Sequence, residues 1–336
     1  MRPAFIGLSG PSLTDDERRF LLEAQPAGII LFARNCQDRA QLKALTDSLR
    51  DLFARDDLPI LIDQEGGKVA RLKPPSWPAF PSGGAFADLY EKAPISAIEA
   101  ARLNGLALAA TLAEVGVTVD CAPVLDLRQA GAHDVIGDRA FGDEPMRVAA
   151  LGRGLLDGFR EGGVVGVVKH MPGHGRARAD SHVELPVVDV AAEALESDLA
   201  PFRSLRDAPM AMTAHVLYRA WDPERCATLS ATVIGEIIRG RIGFDGLLMS
   251  DDIAMEALEG TLGARARAAI RAGCDVVLHC SGRIGDGEAV IAALDEIGAA
   301  ARERLARAMA WPTPEGDRPS YTDLAARRDA LLSLTA

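Results

Sequence analysis

The chain has 336 residues, of which 48% are hydrophobic and 25% charged, so it can form one large domain or two small ones with a sizeable core. Its formal net charge is −11, which disfavours a nucleic-acid binder because such proteins present a basic face. The five cysteines are odd in number, widely spaced and without a C-x-x-C pair, which disfavours a disulfide framework and favours a reducing compartment.

The N-terminal segment Met1–Gly10 has one Arg and a short apolar run that Gly, Ser and Pro interrupt. This run is too short for a signal peptide, and no apolar run in the sequence approaches the length of a membrane-spanning helix. We therefore expect a soluble, cytoplasmic protein that has no membrane partner and is a monomer.

Eight short apolar runs alternate with longer helical patterns along the chain. The runs are rich in Val, Ile and Leu without polar alternation, which is typical of parallel strands buried on both faces. In chain order they are Ala4–Leu8, Gly28–Phe32, Leu58–Ile62, Val117–Pro123, Val164–Val168, Met210–Ala214, Gly246–Ser250 and Cys274–His279. The helical patterns that follow them are Asp15–Ala24, Asp38–Arg55, Ser96–Val115, Pro145–Glu161, Ala191–Leu205, Ser230–Arg239, Met255–Ala272 and Gly287–Ala310.

Eight strand–helix units are the number that closes a (β/α)₈ barrel of the TIM type. Gly116, Gly163 and Gly273 fall between a helical pattern and a strand, where they suit helix C-terminal caps. A doubly wound open sheet has the same alternation, but no G-x-G-x-x-G opens the first helix. We predict a single barrel over residues 1–336, with a C-terminal helix at 322–334 packed outside it.

Polar side chains follow five of the predicted strands, at the point where each strand ends. They are Asp63, Lys169, His170, His215 and Asp251, with Asp120 and Asp126 flanking the end of the fourth strand. Because all strands of a barrel end on the same face, we expect these groups to converge above one pore. Charged residues directly after core strands are costly unless they are paired or functional, so the pattern predicts a site.

Two loops extend this pattern. The loop Asp63–Arg71 contains Gly66-Gly67, which permits a tight turn or a close approach of the backbone to a ligand. The loop Lys169–Gly175 is followed by Asp180-Ser181-His182, in which an acid near a His can hold the imidazole in one tautomer. Either loop alone also fits an ordinary turn.

Two chemistries that this pattern might suggest are disfavoured. His170 and His174 have the spacing of zinc ligands, but Pro172 and Gly173 between them break the helix on which such ligands normally lie. No G-x-S-x-G motif is present, which disfavours a Ser-His-Asp hydrolase of the nucleophile-elbow type. We expect no metal and no cofactor.

From about Gly28 through His279 the chain resembles glycoside hydrolase family three, and within it the bacterial β-N-acetylglucosaminidases of peptidoglycan recycling. Four segments carry the resemblance. They are Ile62-Asp63-Gln64-Glu65-Gly66-Gly67 with Arg71, Lys169-His170-Met171-Pro172-Gly173-His174-Gly175, Asp180-Ser181-His182, and Gly243-Phe244-Asp245-Gly246 running into Ser250-Asp251-Asp252.

The resemblance implies a retaining exo-β-N-acetylglucosaminidase that acts on a terminal, β-linked N-acetylglucosamine of muropeptides carrying anhydro-N-acetylmuramic acid. Asp251 would be the nucleophile, and His182 the general acid/base that Asp180 orients. The implied sugar contacts are Asp63, Arg71, Arg139, Lys169 and His170, while His174 and His215 would support the pocket from behind. A loop carrying His182 would close over the sugar, with Gly173 and Gly175 as hinge points.

Three alternatives stay open from the sequence. A β-glucosidase of the same family normally has a second domain that supplies a carboxylate acid/base. A phosphorylase is possible because a His, unlike a carboxylate, would not repel a phosphate acceptor. A catalytically silent sugar-binding barrel is the alternative from another class, and the intact Asp251, His182 and Asp180 disfavour it.

Overall fold

The computed structural model describes residues 1–181, 183–314 and 320–335. Its centre is a closed barrel of parallel strands, each hydrogen-bonded to its neighbours in chain order, with the last strand pairing with the first. The strands are β1 (Arg2–Gly7), β2 (Pro26–Leu31), β3 (Ile60–Ile62), β4 (Val119–Asp120), β5 (Val165–Met171), β6 (Met210–Thr213), β7 (Leu247–Asp252) and β8 (Val276–His279). The predicted (β/α)₈ barrel is confirmed.

Helices surround this barrel. They are α1 (Asp15–Ala24), α2 (Arg39–Phe53), α3 (Gly83–Lys92), α4 (Pro94–Glu114), α5 (Pro145–Gly162), α6 (Glu196–Ser204), a π-helical segment Val233–Ile242, α7 (Leu262–Ala272), α8 (Ile284–Ala292), α9 (Ala299–Met309) and α10 (Tyr321–Leu332). A pair of two-residue strands, Val187–Val188 and Leu217–Tyr218, lies outside the barrel sheet.

The predicted caps are confirmed, because Gly116, Gly163 and Gly273 all have positive φ angles, of 76°, 81° and 118°. The predicted helix Ser230–Arg239 is the π-helical segment Val233–Ile242, and two further predicted helices begin late or divide. The pattern Met255–Ala272 becomes helical only at Leu262, where the Thr261 side chain accepts a hydrogen bond from the Ala264 amide. The pattern Gly287–Ala310 covers two helices, α8 and α9, because the chain leaves the helical conformation between Ala292 and Ala299.

Helix α9 closes the N-terminal end of the barrel. Its residues Ala301, Leu305 and Ala308 are buried in one apolar cluster with inward-facing strand residues such as Phe5. The amide of Ile297, just before the helix, donates to the carbonyl of Met1 at 3.0 Å. The barrel interior is therefore filled by side chains at its N-terminal end.

Helices α4 and α5 pack with their backbones unusually close. A Cβ added to Gly158 would lie 2.1 Å from the carbonyl oxygen of Arg102, and one added to Gly105 would lie 2.3 Å from that of Leu155. Only glycine fits at such crossings. Contrary to the sequence expectation, α4 is long and apolar enough to span a membrane by length and composition, but 61% of its most apolar window is buried against its neighbours.

The predicted C-terminal helix is present as α10, and it packs on α4 at the outside of the helical layer. Arg328 donates to the side chain of Asn104 on α4 at 3.0 Å, and the rings of Tyr321 and Phe80 meet edge to face at 5.7 Å. Ser320 caps the helix by accepting the amide of Asp323.

Candidate active site

A cavity of about 350 Å³ opens at the C-terminal end of the barrel. Pockets of this size are typical of small-molecule sites. Its walls come from the ends of seven strands, β2 to β8, and from the loops that follow them. The residues that line it are Phe32, Asp63, Glu65, Val69, Arg71, Val135, Ile136, Arg139, Lys169, His170, His174, Ser181, Met212, Asp251, Asp252, Met255, Leu278 and Cys280.

One side of the cavity is a cluster of alternating charges. The Lys169 ammonium lies 3.0 Å from Asp63 and 2.7 Å from Glu65, and its side chain is only 3% exposed. Arg71 pairs with Asp63 at 3.0 Å. Arg139 binds Glu65 with two parallel hydrogen bonds of 2.8 Å. Bidentate pairing of this kind fixes both the position and the plane of a guanidinium.

These pairs keep every member of the cluster charged. Burial alone would raise the pKa values of Asp63 and Glu65, but Lys169 and the two arginines outweigh it, so both pKa values lie below their usual range. Burial would lower the pKa of Lys169, yet the two carboxylates raise it. A cavity wall with fixed charges of both signs suits a ligand rich in hydroxyl groups, since each hydroxyl both donates and accepts.

Asp126 organises the next part of the wall from behind. Its carboxylate accepts hydrogen bonds from His170 Nδ1 at 2.7 Å and from the backbone amides of His170 at 3.2 Å and His174 at 2.6 Å. Burial favours the neutral acid, but these partners lower the pKa of Asp126. Because Nδ1 of His170 is engaged with the carboxylate, the ring turns its Nε2 edge away from Asp126.

His174 connects this turn to the loop that carries Asp180. Its Nε2 lies 3.3 Å from Ser181 Oγ, and Ser181 lines the cavity. Burial lowers the pKa of His174 to about 4, so the ring is neutral at physiological pH. Gly175 packs so closely that an added Cβ would lie 1.8 Å from the Leu127 carbonyl oxygen, which fixes the start of the loop.

Two adjacent carboxylates, Asp251 and Asp252, end β7. Burial would raise the pKa of Asp251, but His215, His170 and the amide of Asp252 outweigh it, so its pKa lies below the usual value. Asp252 instead accepts the amides of Ala254 and Cys280, and burial raises its pKa. Asp252 therefore holds two backbone segments, while Asp251 offers an ionised oxygen to the cavity.

His215 lies behind the end of β7 and is fully buried. Its Nε2 lies 3.0 Å from the carbonyl oxygen of Asp252, and its Nδ1 lies 2.7 Å from Thr228 Oγ1. A carbonyl only accepts, so Nε2 carries a proton, while the Thr228 hydroxyl also donates to the carbonyl of Ala214 at 3.1 Å. Burial lowers the pKa of His215, which favours the neutral ring.

The predicted acid/base His182 lies outside the described residues. The neighbouring Asp180 is half-buried, and its carbonyl accepts the amides of Val183 at 2.9 Å and Glu184 at 3.0 Å. Earlier in this loop, Arg176 pairs with the buried Asp198 at 2.6 Å. Ser181 brings this loop to the cavity.

The structure brings most of the predicted site residues to one place. Asp63, Arg71, Arg139, Lys169, His170, His174 and Asp251 line the cavity, and His215 lies behind it. The prediction that Asp120 faces the pore is wrong. Its neighbours Val119 and Cys121 belong to the barrel interior, so alternation along the strand turns Asp120 towards the helices.

The sequence prediction left out one charged residue and one ring at the site, and it gave no role to a second charged residue. Glu65 stood in the loop with Asp63 but was not selected, although a second acid in a strand-end loop was a usable signal. Asp126 was recognised at a strand end without its role at His170. Phe32 lines the cavity, and its apolar side chain gave no signal. Within the described residues, no group of three His, Cys, Asp or Glu side chains could hold a metal ion.

Comparison with known proteins gives consistent matches. A model described as the glycosyl hydrolase family 3 N terminal domain matches residues 6–310. A protein named beta-hexosaminidase from Alkalilimnicola ehrlichii is 45% identical over 284 residues, covering 83% of this chain and 80% of that relative. One of the same name from Aromatoleum aromaticum is 43% identical over 284 residues, covering 83% and 79%.

Solved structures agree. NagZ from Neisseria gonorrhoeae, in complex with N-trifluoroacetyl-D-glucosamine, matches with a TM-score of 0.87 and 32% identity, covering 100% of this chain and 98% of that one. A glycoside hydrolase family 3 β-N-acetylglucosaminidase from Paenibacillus sp. matches with a TM-score of 0.86 and 32% identity, covering 98% and 67%.

Proposed function

The chain belongs to glycosyl hydrolase family 3, and from that premise we propose that it removes terminal, β-linked N-acetylglucosamine from muropeptide fragments carrying anhydro-N-acetylmuramic acid. The enzyme is a glycoside hydrolase of the β-N-acetylhexosaminidase type, as its relatives are. We also propose a cytoplasmic location, and we assign roles to individual residues below. Five free cysteines support a reducing location.

The observation that carries the proposal is the ionised Asp251 carboxylate in the cavity, beside a wall of paired charges. An oxygen of Asp251 attacks the anomeric carbon and forms a glycosyl ester as the bond to the leaving oxygen breaks. Water then attacks the same carbon, the ester bond breaks and Asp251 is released as a carboxylate. Two inversions give overall retention of configuration.

We assign the proton transfers to His182, with Asp180 orienting it. His182 gives a proton to the leaving oxygen in the first step and takes one from the attacking water in the second. Support comes from the resemblance of Asp180-Ser181-His182 to the family's catalytic loop and from Ser181, which lines the cavity. A histidine near its ordinary pKa can do both jobs around neutral pH.

The glycon is held by the charged wall. Asp63 accepts from sugar hydroxyls, while Lys169, Arg71 and Arg139 donate to their oxygens. His170, whose Nδ1 is engaged by Asp126, presents its other edge. Because these contacts already hold one another in place, little side-chain ordering remains for the sugar to induce.

The test is turnover of 4-nitrophenyl N-acetyl-β-D-glucosaminide by the wild type, Asp251→Ala and His182→Ala. We expect wild-type release of nitrophenol, loss of at least about a thousandfold in kcat for Asp251→Ala and a smaller loss for His182→Ala. Turnover of the glucoside but not of the N-acetyl substrate would show that the sugar specificity is wrong.

Two further assays test the finer parts of the proposal. GlcNAc-anhydro-N-acetylmuramic acid should be cleaved to its two sugars, and an inert disaccharide beside an active nitrophenyl substrate would refute the muropeptide assignment. Adding phosphate should leave free N-acetylglucosamine as the product, whereas formation of the sugar 1-phosphate would identify a phosphorylase.

A further inference from the structure

Phe32 places an aromatic ring in the cavity wall beside the charged cluster. It directly follows β2, and its ring lines the cavity. The guanidinium carbons of two arginines lie close to its centroid, Arg34 at 4.9 Å and Arg71 at 5.1 Å. Both distances are within the range of a cation–π contact.

The ring is held by the turn that follows it. The Phe32 amide donates to Asn35 Oδ1 at 2.8 Å, and Asn35 is fully buried. Nδ2 of Asn35 donates to the carbonyl of Gly10 at 2.7 Å, and Arg34 Nε donates to the carbonyl of Leu8 at 2.7 Å. The turn that holds Phe32 is therefore fixed by hydrogen bonds to the residues that follow β1.

Arg71, by contrast, has few fixed contacts of its own. One terminal nitrogen, Nη2, pairs with Asp63 at 3.0 Å. Its Nε is buried and has no hydrogen-bond partner among the described residues. A buried donor without an oxygen partner is costly, and the negative face of an aromatic ring is a substitute partner for it.

We propose that Phe32 is a positioning residue for sugar binding, whose ring supports the buried side of the Arg71 guanidinium and leaves the Nη1 donor for a hydroxyl of the glycon. This inference rests on the proposed function, in which Arg71 contacts the sugar. Phe32 acts through Arg71, so replacing the ring weakens the Arg71 contact without disturbing Asp251.

If Phe32 holds Arg71 and Arg71 contacts the sugar, a particular kinetic pattern follows. Arg71 contacts the sugar before and during the reaction, and loss of such uniform binding raises KM and leaves kcat unchanged. Phe32→Leu keeps an apolar side chain but removes the ring. We expect KM to rise about tenfold, with kcat within about twofold of the wild type, the scale of one desolvated cation–π contact.

A double-mutant cycle separates positioning from the alternatives. The four proteins are the wild type, Phe32→Leu, Arg71→Gln and the double variant, assayed with 4-nitrophenyl N-acetyl-β-D-glucosaminide. We expect Phe32→Leu to have at most about a twofold effect in the Arg71→Gln background. An equal loss in both backgrounds would overturn the inference, since Phe32 would then act directly on the sugar or on folding. Where turnover by the Arg71→Gln proteins is too slow, NMR titration with N-acetylglucosamine gives the same cycle from dissociation constants.

The chain supplies a matched control. At the other end of the barrel, Phe244 is buried under Arg239, whose guanidinium carbon lies 5.3 Å from the ring centroid. Phe244→Leu should lower the melting temperature and leave KM unchanged. An inactive wild type would refute the proposed function, and Arg71→Gln without effect would refute its role for Arg71. Additive losses in an active enzyme would refute the positioning role of Phe32 alone.

Discussion

The two ends of the barrel contain the same kinds of interaction and differ in what these interactions enclose. At the N-terminal end, Asp275 accepts from Arg239 at 2.8 Å, from Arg304 at 3.0 Å and from the Leu248 amide at 2.9 Å. At the C-terminal end, Lys169 is held between Asp63 and Glu65. Both networks are buried carboxylates with cationic partners.

What distinguishes the ends is which elements surround the open space. Helix α9 closes the barrel interior at the N-terminal end, and the cavity of about 680 Å³ beside Asp275 is lined mainly by the ends of α7 and α8 and the start of α9. At the C-terminal end, the strand ends stand around about 350 Å³ of open space, and donors such as Arg71 remain incompletely used. A charge cluster beside open space is therefore a poor indicator of a site, and the strand ends that surround the C-terminal cavity identify the candidate active end.

The largest effect is expected for Lys169→Met. The substitution removes a 3% exposed cation and leaves Asp63 and Glu65 with one arginine each, which should destabilise the fold by about 3–5 kcal/mol. We expect kcat/KM to fall by more than about a thousandfold in protein that is still folded at low temperature. Urea unfolding and nitrophenyl turnover measure the two effects, and an active, stable variant would refute the role of the cluster.

Asp275→Asn should separate stability from activity at the other end. The amide cannot balance Arg239 and Arg304, so we expect a loss of about 2–3 kcal/mol in the free energy of unfolding. Because the candidate active site lies at the opposite end, kcat/KM below the unfolding temperature should stay within about twofold. A KM shift as large as that of Phe32→Leu would show that the two ends are coupled.

The barrel could be predicted because its information is local. Continuous apolar runs mark buried parallel strands, and glycines such as Gly163 mark helix ends. The boundary between α8 and α9 could not be predicted, because the apolar pattern continues across it and only a short non-helical segment separates the two helices. Asp63, Lys169 and Asp251 could be predicted because a closed barrel brings all strand ends together.

The rest of the site depends on which way a side chain turns. Asp120 stands at a strand end like Asp63, yet it faces the helices because pore-facing positions alternate along a strand. Phe32 reads as the last residue of an apolar strand, so its contact with Arg71 is invisible until β2 and the loop after β3 are placed side by side. The partners of each polar group come from tertiary structure.

Asp120→Asn tests whether a buried carboxylate of β4 that has no cationic partner in the described part of the chain destabilises the fold. Asp120 is fully buried, one oxygen accepts the Gln64 amide at 2.9 Å and the other has no partner among the described residues. Burial raises its pKa to about 8, so the folded state holds a proton that the unfolded state loses near pH 4. Wild-type stability therefore falls as the pH rises from 4 to 8.

Asparagine has no proton to lose, so Asp120→Asn should stabilise the protein by about 1–2 kcal/mol at pH 8 and by little at pH 4.5. Melting temperatures of the wild type and the variant across this range measure the difference. A gain that does not grow with pH would mean that Asp120 is ionised in the fold, as the Asp63 carboxylate is expected to be.

The smallest effect is expected for His174→Gln, and it runs in the opposite pH direction. The folded pKa of His174 is lowered to about 4, so between pH 6.5 and 4 the unfolded state binds a proton that the folded state does not. Stability from the neutral ring is complete above pH 6.5 and is lost as the pH falls.

Glutamine at position 174 keeps a polar group near Ser181 Oγ and does not titrate. Relative to the variant, the wild type should lose about 1 kcal/mol between pH 7.5 and 5. Equal melting-temperature differences at the two pH values would show that folding does not change the pKa of His174, and the loop holding Ser181 would then gain no stability from a neutral ring.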